Sequence, residues 1–251
     1  MNPFTFVYLE LLFRPLYNLL VGITNFLPNH NVGLAIILVT AIVRVILLPP
    51  TIHQAKQSQR NQQKMKAVQK DINKIKKQHH NDRTKQAEET MKIYKQAGIN
   101  PAAGCLPLLI QLPILIALYR VFLVGLGPDS YDSLYSFVSI PENVSQVFLG
   151  LSMTEPSLLL GVIAGASQFV LMKLSMAATT ATMPGANESS AQMMASMQKN
   201  MMYFFPVMTV FIALQLPAAL ALYWVASTVF AIIQQRVMKK ILPQSQGLPA
   251  I

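Results

Sequence analysis

One arginine sits where an apolar segment should hold no charge. In NVGLAIILVTAIVRVILLPP (Asn31–Pro50), Thr40 and Arg44 are the only polar side chains between Val32 and Leu48. At 1.5 Å per residue of helix, Arg44 falls about 7 Å inside the end marked by Pro49. A lipid-facing arginine at mid-bilayer costs roughly 2.5–3.5 kcal/mol on insertion scales. Snorkelling to the interface would relieve that cost, and so would an acidic partner or a hydrated cavity. The apolar stretches offer no acid, because all ten acids lie outside them. The cavity reading explains more than the snorkelling one. Thr40, one turn earlier, shares the face of Arg44. Gln111, Gln168, Ser227 and Gln234 place further polar groups in other apolar stretches. The same residues would equally serve as hydrogen-bonding glue between helices.

Other chemistries lack their parts. An ATPase of the phosphate-loop kind needs a glycine-rich loop ending in Gly-Lys, and the sequence has no such dipeptide. GASQ (Gly165–Gln168) carries a serine, but no histidine follows His80, so a nucleophile has no evident base. Neighbouring side chains on a helix point apart, so His79–His80 reads as a solvated tip rather than a metal site. Paired intramembrane carboxylates, the mark of many proton-coupled carriers, are missing. The expectation is a protein that is not an enzyme and uses no cofactor or metal. A small-molecule or ion transporter with a buried arginine is the rival class. Against it, five spans show no matching halves.

The elements that must position these residues follow from composition. Of 251 residues, 53% are hydrophobic and 12% charged, too little charge to cover a soluble domain. Five apolar stretches, at 31–50, 104–126, 157–176, 200–216 and 218–238, each approach the length a ~30 Å hydrocarbon layer requires of a helix. They do not alternate with period two, which excludes a barrel reading. The expected fold is an all-α polytopic membrane protein with five transmembrane helices.

Residues 1–30 are expected to form an amphipathic helix on the outer interface, because Glu10, Arg14, Pro15 and Asn18 interrupt the apolar run. Residues 51–100 form a cytoplasmic helical hairpin. Its narrow seam is Met65, Val68, Ile72 and Ile75 against Ala87, Met91 and Tyr94, with Asn81 or Asp82 as a cap. Residues 127–156 form a polar extracytoplasmic loop. Residues 177–199 form a flexible, Met-rich cytoplasmic loop, and 239–251 a basic, disordered tail.

Charge fixes the orientation. Thr51–Gly104 holds twelve Lys or Arg against four acids, whereas Gly127–Pro156 holds four acids and no Lys or Arg. The positive-inside rule puts the hairpin and C-terminus in the cytoplasm and the N-terminus outside. No cleavable signal of the usual order opens the sequence. The lone Cys105 forms no intramolecular disulfide.

ILVTAIVRVILLPPTIHQAKQSQ, IYKQAGINPAAGCLPLLIQLPILIALYRV and LPAALALYWVASTVFAIIQQ closely resemble the YidC/Oxa/Alb family of membrane protein insertases. The likeness runs from about Leu9 to Lys240. Its most specific parts are Asn100–Pro113 and Arg44 ahead of a proline. The form resembled is the compact bacterial one. The resemblance implies five spans around a hydrophilic groove open to the cytoplasm, and Arg44 matches the family's groove arginine. Thr40, Gln111, Gln168 and Trp224 fall where such proteins line the groove or its mouth. Nascent membrane proteins and the lipid bilayer are the implied partners. Ribosome and signal recognition particle components and the Sec translocon are further candidates. The chain is expected to act as a monomer in a bacterial plasma (inner) membrane. It departs from many relatives in lacking a proline in the first hairpin arm and in its long outer loop.

Overall fold

The computed structural model describes residues 6, 8–80, 82–100, 106–124, 132–141, 143–180 and 188–241. Eight α-helices and one two-stranded hairpin are described. The chain divides into two compact units, Met1–Leu47 with Ile110–Leu171 and Phe204–Ile251, and Leu48–Leu109 with Met172–Tyr203.

In the first unit, α1 (Arg14–Phe26) follows a π-helical turn at Leu9–Phe13. Pro15 has no N–H to give the carbonyl one turn back, and the helix widens there. Its apolar face, with Phe13, Leu16, Tyr17, Leu20 and Val21, is buried in the core. The amphipathic pattern is therefore satisfied largely by protein. Phe13 lies under the Arg120 guanidinium, 5.4 Å from the ring centroid, and Arg120 is four residues before the last residue of α5 (Leu106–Val124). Only Leu27–Asn31 separates the other end of α1 from α2 (Val32–Ile46).

Asn31 caps α2 by accepting from the Leu34 amide at 3.1 Å. Val32, Ala35, Ile36, Val39 and Thr40 of α2 are buried, whereas Leu34, Leu38, Ile42, Val45 and Ile46 are exposed. A helix apolar on both faces is solvated by hydrocarbon, not water. It ends at Ile46, with Leu47 as its cap, three residues before the expected stop at Pro49–Pro50. Both prolines lie in the first turn of α3 (Leu48–Gln78), where a missing N–H costs no helical bond.

Two strands, β1 (Val147–Phe148) and β2 (Leu151–Ser152), form a hairpin in a region expected as plain loop. Its flanks bind the ends of two helices. The Val32 amide donates to Ser145 O at 3.1 Å, and Ala218 and Ala219 donate to Glu155 O and Met153 O at 2.8 and 2.9 Å. α6 (Leu158–Thr180) packs on α7 (Glu188–Ala213) through Gly161 and Gly165, and α8 (Ala218–Ile241) closes the unit. Residues 177–180 and 188–199, expected as loop, are helical. Ala, Met and Gln are good helix formers, and the run has a breaker only at Pro184–Gly185. Those two residues, Asn81, Cys105 and the tail beyond Ile241 lie outside the described residues.

In the second unit, α3 packs along α4 (Arg83–Gln96). Asp82 caps α4 by accepting from the Lys85 amide at 3.0 Å. On α3, Ile72 is buried and Met65, Val68 and Ile75 are half-buried, as the seam predicts. On α4 the stripe is shifted: Met91 and Ala87 are exposed, while Ile93 and Tyr94 are half-buried. Burial pushes the Tyr94 phenol up from its ordinary range. The stop of α4 sets this phase. Gly98 takes φ +59°. The Ile99 amide donates to Tyr94 O at 2.8 Å and the Gly98 amide to Lys95 O at 3.1 Å, a Schellman stop with Ile99 tucked in. Gly98→Ala should weaken this stop by about 1–2 kcal/mol, the cost of a Cβ in the left-handed region. Hydrogen exchange at the Ile99 amide should quicken accordingly.

Among the described residues, Leu158–Ser175 and Ala218–Met238 are long and apolar enough to cross a membrane. Val32–Ile46 with the helix that follows it makes a third if the two are counted as one broken span, and Gln111–Val124 and Asn200–Ala213 are apolar but shorter. The chain is thus an all-α protein with membrane-spanning helices.

Candidate functional site

Arg44 stands in the last turn of α2, half-buried, and its Nη2 donates to Ser227 Oγ on α8. One turn earlier on α8, the Tyr223 hydroxyl accepts from Gln111 Nε2 of α5 at 2.5 Å. Tyr223 and Ser227 are each 4% exposed. Four residues apart, they share one face of α8, so that face presents two hydroxyls to donors from two other helices. Arg44 and Tyr223 lie within electrostatic reach of each other.

Among the described residues no acid forms an ion pair with Arg44; the ion pairs there are Arg14–Glu10, Lys74–Asp71 and Lys92–Glu89. A neutral hydroxyl satisfies one donor of a guanidinium that carries five, and it leaves the charge uncompensated. Such a site can take an anionic group in competition with Ser227.

The other expected residues fall at different places. Thr40 is 2% exposed, and its hydroxyl donates to Ile36 O of its own helix at 2.6 Å. Its polar group is therefore spent within α2. Gln168 lies on α6 three residues beyond Gly165, on the side that meets α7. Trp224 is half-buried beside Tyr223 on α8. Gln234, two turns beyond Ser227, directs Nε2 to Met238 Sδ at 3.8 Å. The structure thus joins Arg44 to Ser227 and Gln111 to Tyr223, and it places Thr40, Gln168 and Gln234 in other surroundings. Tyr223 was not singled out from the sequence. Its signal was the spacing of four to Ser227, hidden because a tyrosine counts as apolar in a hydrophobic run.

A family model described as "60Kd inner membrane protein" matches residues 23–245. The chain is 36% identical over 232 residues to a protein of Fusobacterium nucleatum named membrane protein insertase YidC, covering 90% of this chain and 98% of that one. It is 34% identical over 248 residues to membrane protein insertase MisCB of Bacillus subtilis, covering 96% and 83%. It is also 35% identical over 239 residues to membrane protein insertase YidC of Actinobacillus succinogenes, where it covers 94% of this chain but 38% of that longer protein. With nearly its whole length matched, this chain belongs to the 60 kDa inner membrane protein family.

Proposed function

We propose that this chain is a membrane protein insertase that receives nascent membrane proteins in a hydrated groove around Arg44 and releases their helices into lipid. The observation that carries the reading is the Arg44–Ser227 pair, a cation held by a neutral hydroxyl with no carboxylate paired to it among the described residues. Five spans enclose the groove, which opens to the cytoplasm. α1 lies at the outer interface, and the basic hairpin and C-terminus lie inside, in a bacterial inner membrane. Arg44 and Gln111 attract the substrate's hydrophilic tail, and Trp224, Ser227 and Gln234 line its path. The α3–α4 hairpin, with its surplus of positive charge, offers an electrostatic surface to the ribosome, to targeting factors or to anionic lipid. The chain acts as a monomer, alone or beside the Sec translocon.

The energetics need no nucleotide. Twenty apolar residues entering lipid release about 6–12 kcal/mol at roughly 0.3–0.6 kcal/mol each. One carboxylate crossing costs about 2.5–3.5 kcal/mol. The balance stays favourable for one or two charges and fails for heavily charged tails. Cell-free synthesis of a single-span substrate with a short acidic tail, into liposomes with and without the protein, tests the reading. Tail protection from protease that requires the protein is expected. Equal protection in empty vesicles would refute it.

Ser227→Ala probes the pair itself. Losing a hydrogen bond to a charged group costs about 1.5–3 kcal/mol. The thermal midpoint in detergent should then fall by roughly 3–12 °C. Ser227→Thr, which keeps the hydroxyl, should recover most of it.

A further inference from the structure

A groove of about 690 Å³ runs between α1 and the segment Tyr135–Ser139, away from the Arg44 cluster. Leu19, Gly22, Ile23 and Phe26 form one wall, and Phe137 and Val138 form the other. Its size lies within the ~300–1,000 Å³ of sites that enclose small molecules. Side-chain amides fix the walls. Asn18 Nδ2 donates to Ser133 O at 3.0 Å, the Tyr135 amide donates to Asn18 Oδ1 at 2.7 Å, and Asn25 Nδ2 donates to Ser139 O at 2.6 Å. These polar groups satisfy one another, and the trough between them is left apolar. Gly22 lies in the middle of α1, where glycine weakens a helix, and a Cβ there would meet nothing within 4 Å. Gly22 therefore faces open space, which a large side chain there would fill.

Position identifies the occupant. α1 starts after Phe13, which lies under Arg120 near the end of α5, and ends next to the start of α2, so it crosses one end of the bundle. The segment that forms the other wall leads into Ser145–Glu155, which is bonded to the starts of α2 and α8. With α1 at the outer interface, as proposed above, the groove lies in the band where headgroups meet acyl chains. Its rim is apolar and open: Phe26 is 92% and Phe137 81% exposed. At the tip of the hairpin bonded to the start of α2, Leu149 is 85% exposed, held at φ +51° where a bulky side chain is disfavoured. Val147, whose carbonyl accepts from Asn31 Nδ2, and Leu34 in the first turn of α2 are exposed as well. In water such apolar surface would aggregate; at the membrane interface proposed for α1 it meets hydrocarbon.

We propose that this groove is a binding site for one acyl chain of a phospholipid in the leaflet at that end of the bundle, held as a fixed part of the α1 platform. The proposal rests on the membrane placement given above.

The test uses the full chain in phosphatidylethanolamine–phosphatidylglycerol liposomes doped with a phospholipid carrying a diazirine in mid-chain. After irradiation, adducts are mapped by peptide mass spectrometry. Adducts are expected on α1 and on Tyr135–Ser139, besides those on the exposed face of α2. Gly22→Trp fills the open space and should lower the groove adducts at least five-fold, with α2 adducts unchanged. Phe137→Ser, at an exposed position that tolerates change, should lower them in the same way. Gly22→Ala should leave them near wild type. Groove adducts no higher than those on α4, with α2 labelled normally, would overturn the acyl-chain site and leave the membrane placement standing. So would groove adducts indifferent to both Gly22→Trp and Phe137→Ser. Loss of labelling on α2 as well would overturn the placement itself.

Discussion

Arg44→Ala should reduce insertion of a substrate with a short acidic tail roughly 5- to 70-fold, and of a neutral-tailed one by far less. The range follows from a competition. A carboxylate about 4 Å from a guanidinium gains about 4 kcal/mol at an effective dielectric constant near 20. To reach Arg44 it must displace Ser227, whose bond to the charged group is worth about 1.5–3 kcal/mol. The surplus is about 1–2.5 kcal/mol, and each 1.4 kcal/mol is a factor of ten. Arg44→Lys keeps the charge and loses the fork of donors, so it should retain a substantial part of the activity. Initial rates of tail protection in liposomes, for paired acidic and neutral substrates, measure both effects. Equal loss from Lys and Ala, or equal loss for both substrates, would remove the charge from the mechanism and leave hydration of the groove as the working principle.

Arg44 was legible in the sequence because a permanent charge in an apolar run must be accounted for, and the family seen in the same residues is the one the chain belongs to. Its partner was legible only as a polar residue on another apolar stretch. Nothing in the spacing of Arg44 and Ser227, 183 residues apart, says that they meet. Thr40 shares the predicted face of Arg44, yet a threonine in a helix can satisfy itself on the carbonyl four residues back, and Thr40 does so. Gln168 has a different reason. Gly161 and Gly165 decide which side of α6 approaches α7, and Gln168 follows them in phase. The hairpin shows the same limit on a smaller scale. The stripe on α3 was readable from its apolar residues, but the phase of α4 is set by the Gly98–Ile99 stop, which a count of apolar residues does not register. The groove beside α1 was hidden because its two walls, at Phe26 and Phe137, lie far apart in the chain and no spacing shows that they meet.

Gly165→Leu should be strongly damaging, because the backbone it meets has no room to adjust. A Cβ at Gly165 would lie 2.5 Å from Val210 Cγ2 and 3.0 Å from the carbonyl oxygen of Pro206. The first of these can rotate; the second is backbone. At Gly161 the nearest atom is Ala213 Cβ at 3.3 Å, so that position is less tight. Small residues let membrane helices approach where hydrophobic burial supplies little drive, and here they set the α6–α7 spacing. Overpacking a fitted interface costs about 1–3 kcal/mol, and a leucine against backbone lies at or beyond the upper end. A loss of that size lowers the midpoint by roughly 2–4 °C per kcal/mol in a chain of this length. The expected order of stability is wild type, Gly161→Ala, Gly165→Ala, Gly165→Leu. Val210→Ala should return part of the loss in Gly165→Ala by removing the methyl at 2.5 Å, and little in Gly165→Leu, where the Pro206 carbonyl still obstructs. Membrane abundance and thermal midpoint in detergent read the series. A Gly165→Leu protein that accumulates and melts like wild type would mean that α6 and α7 do not meet through these glycines.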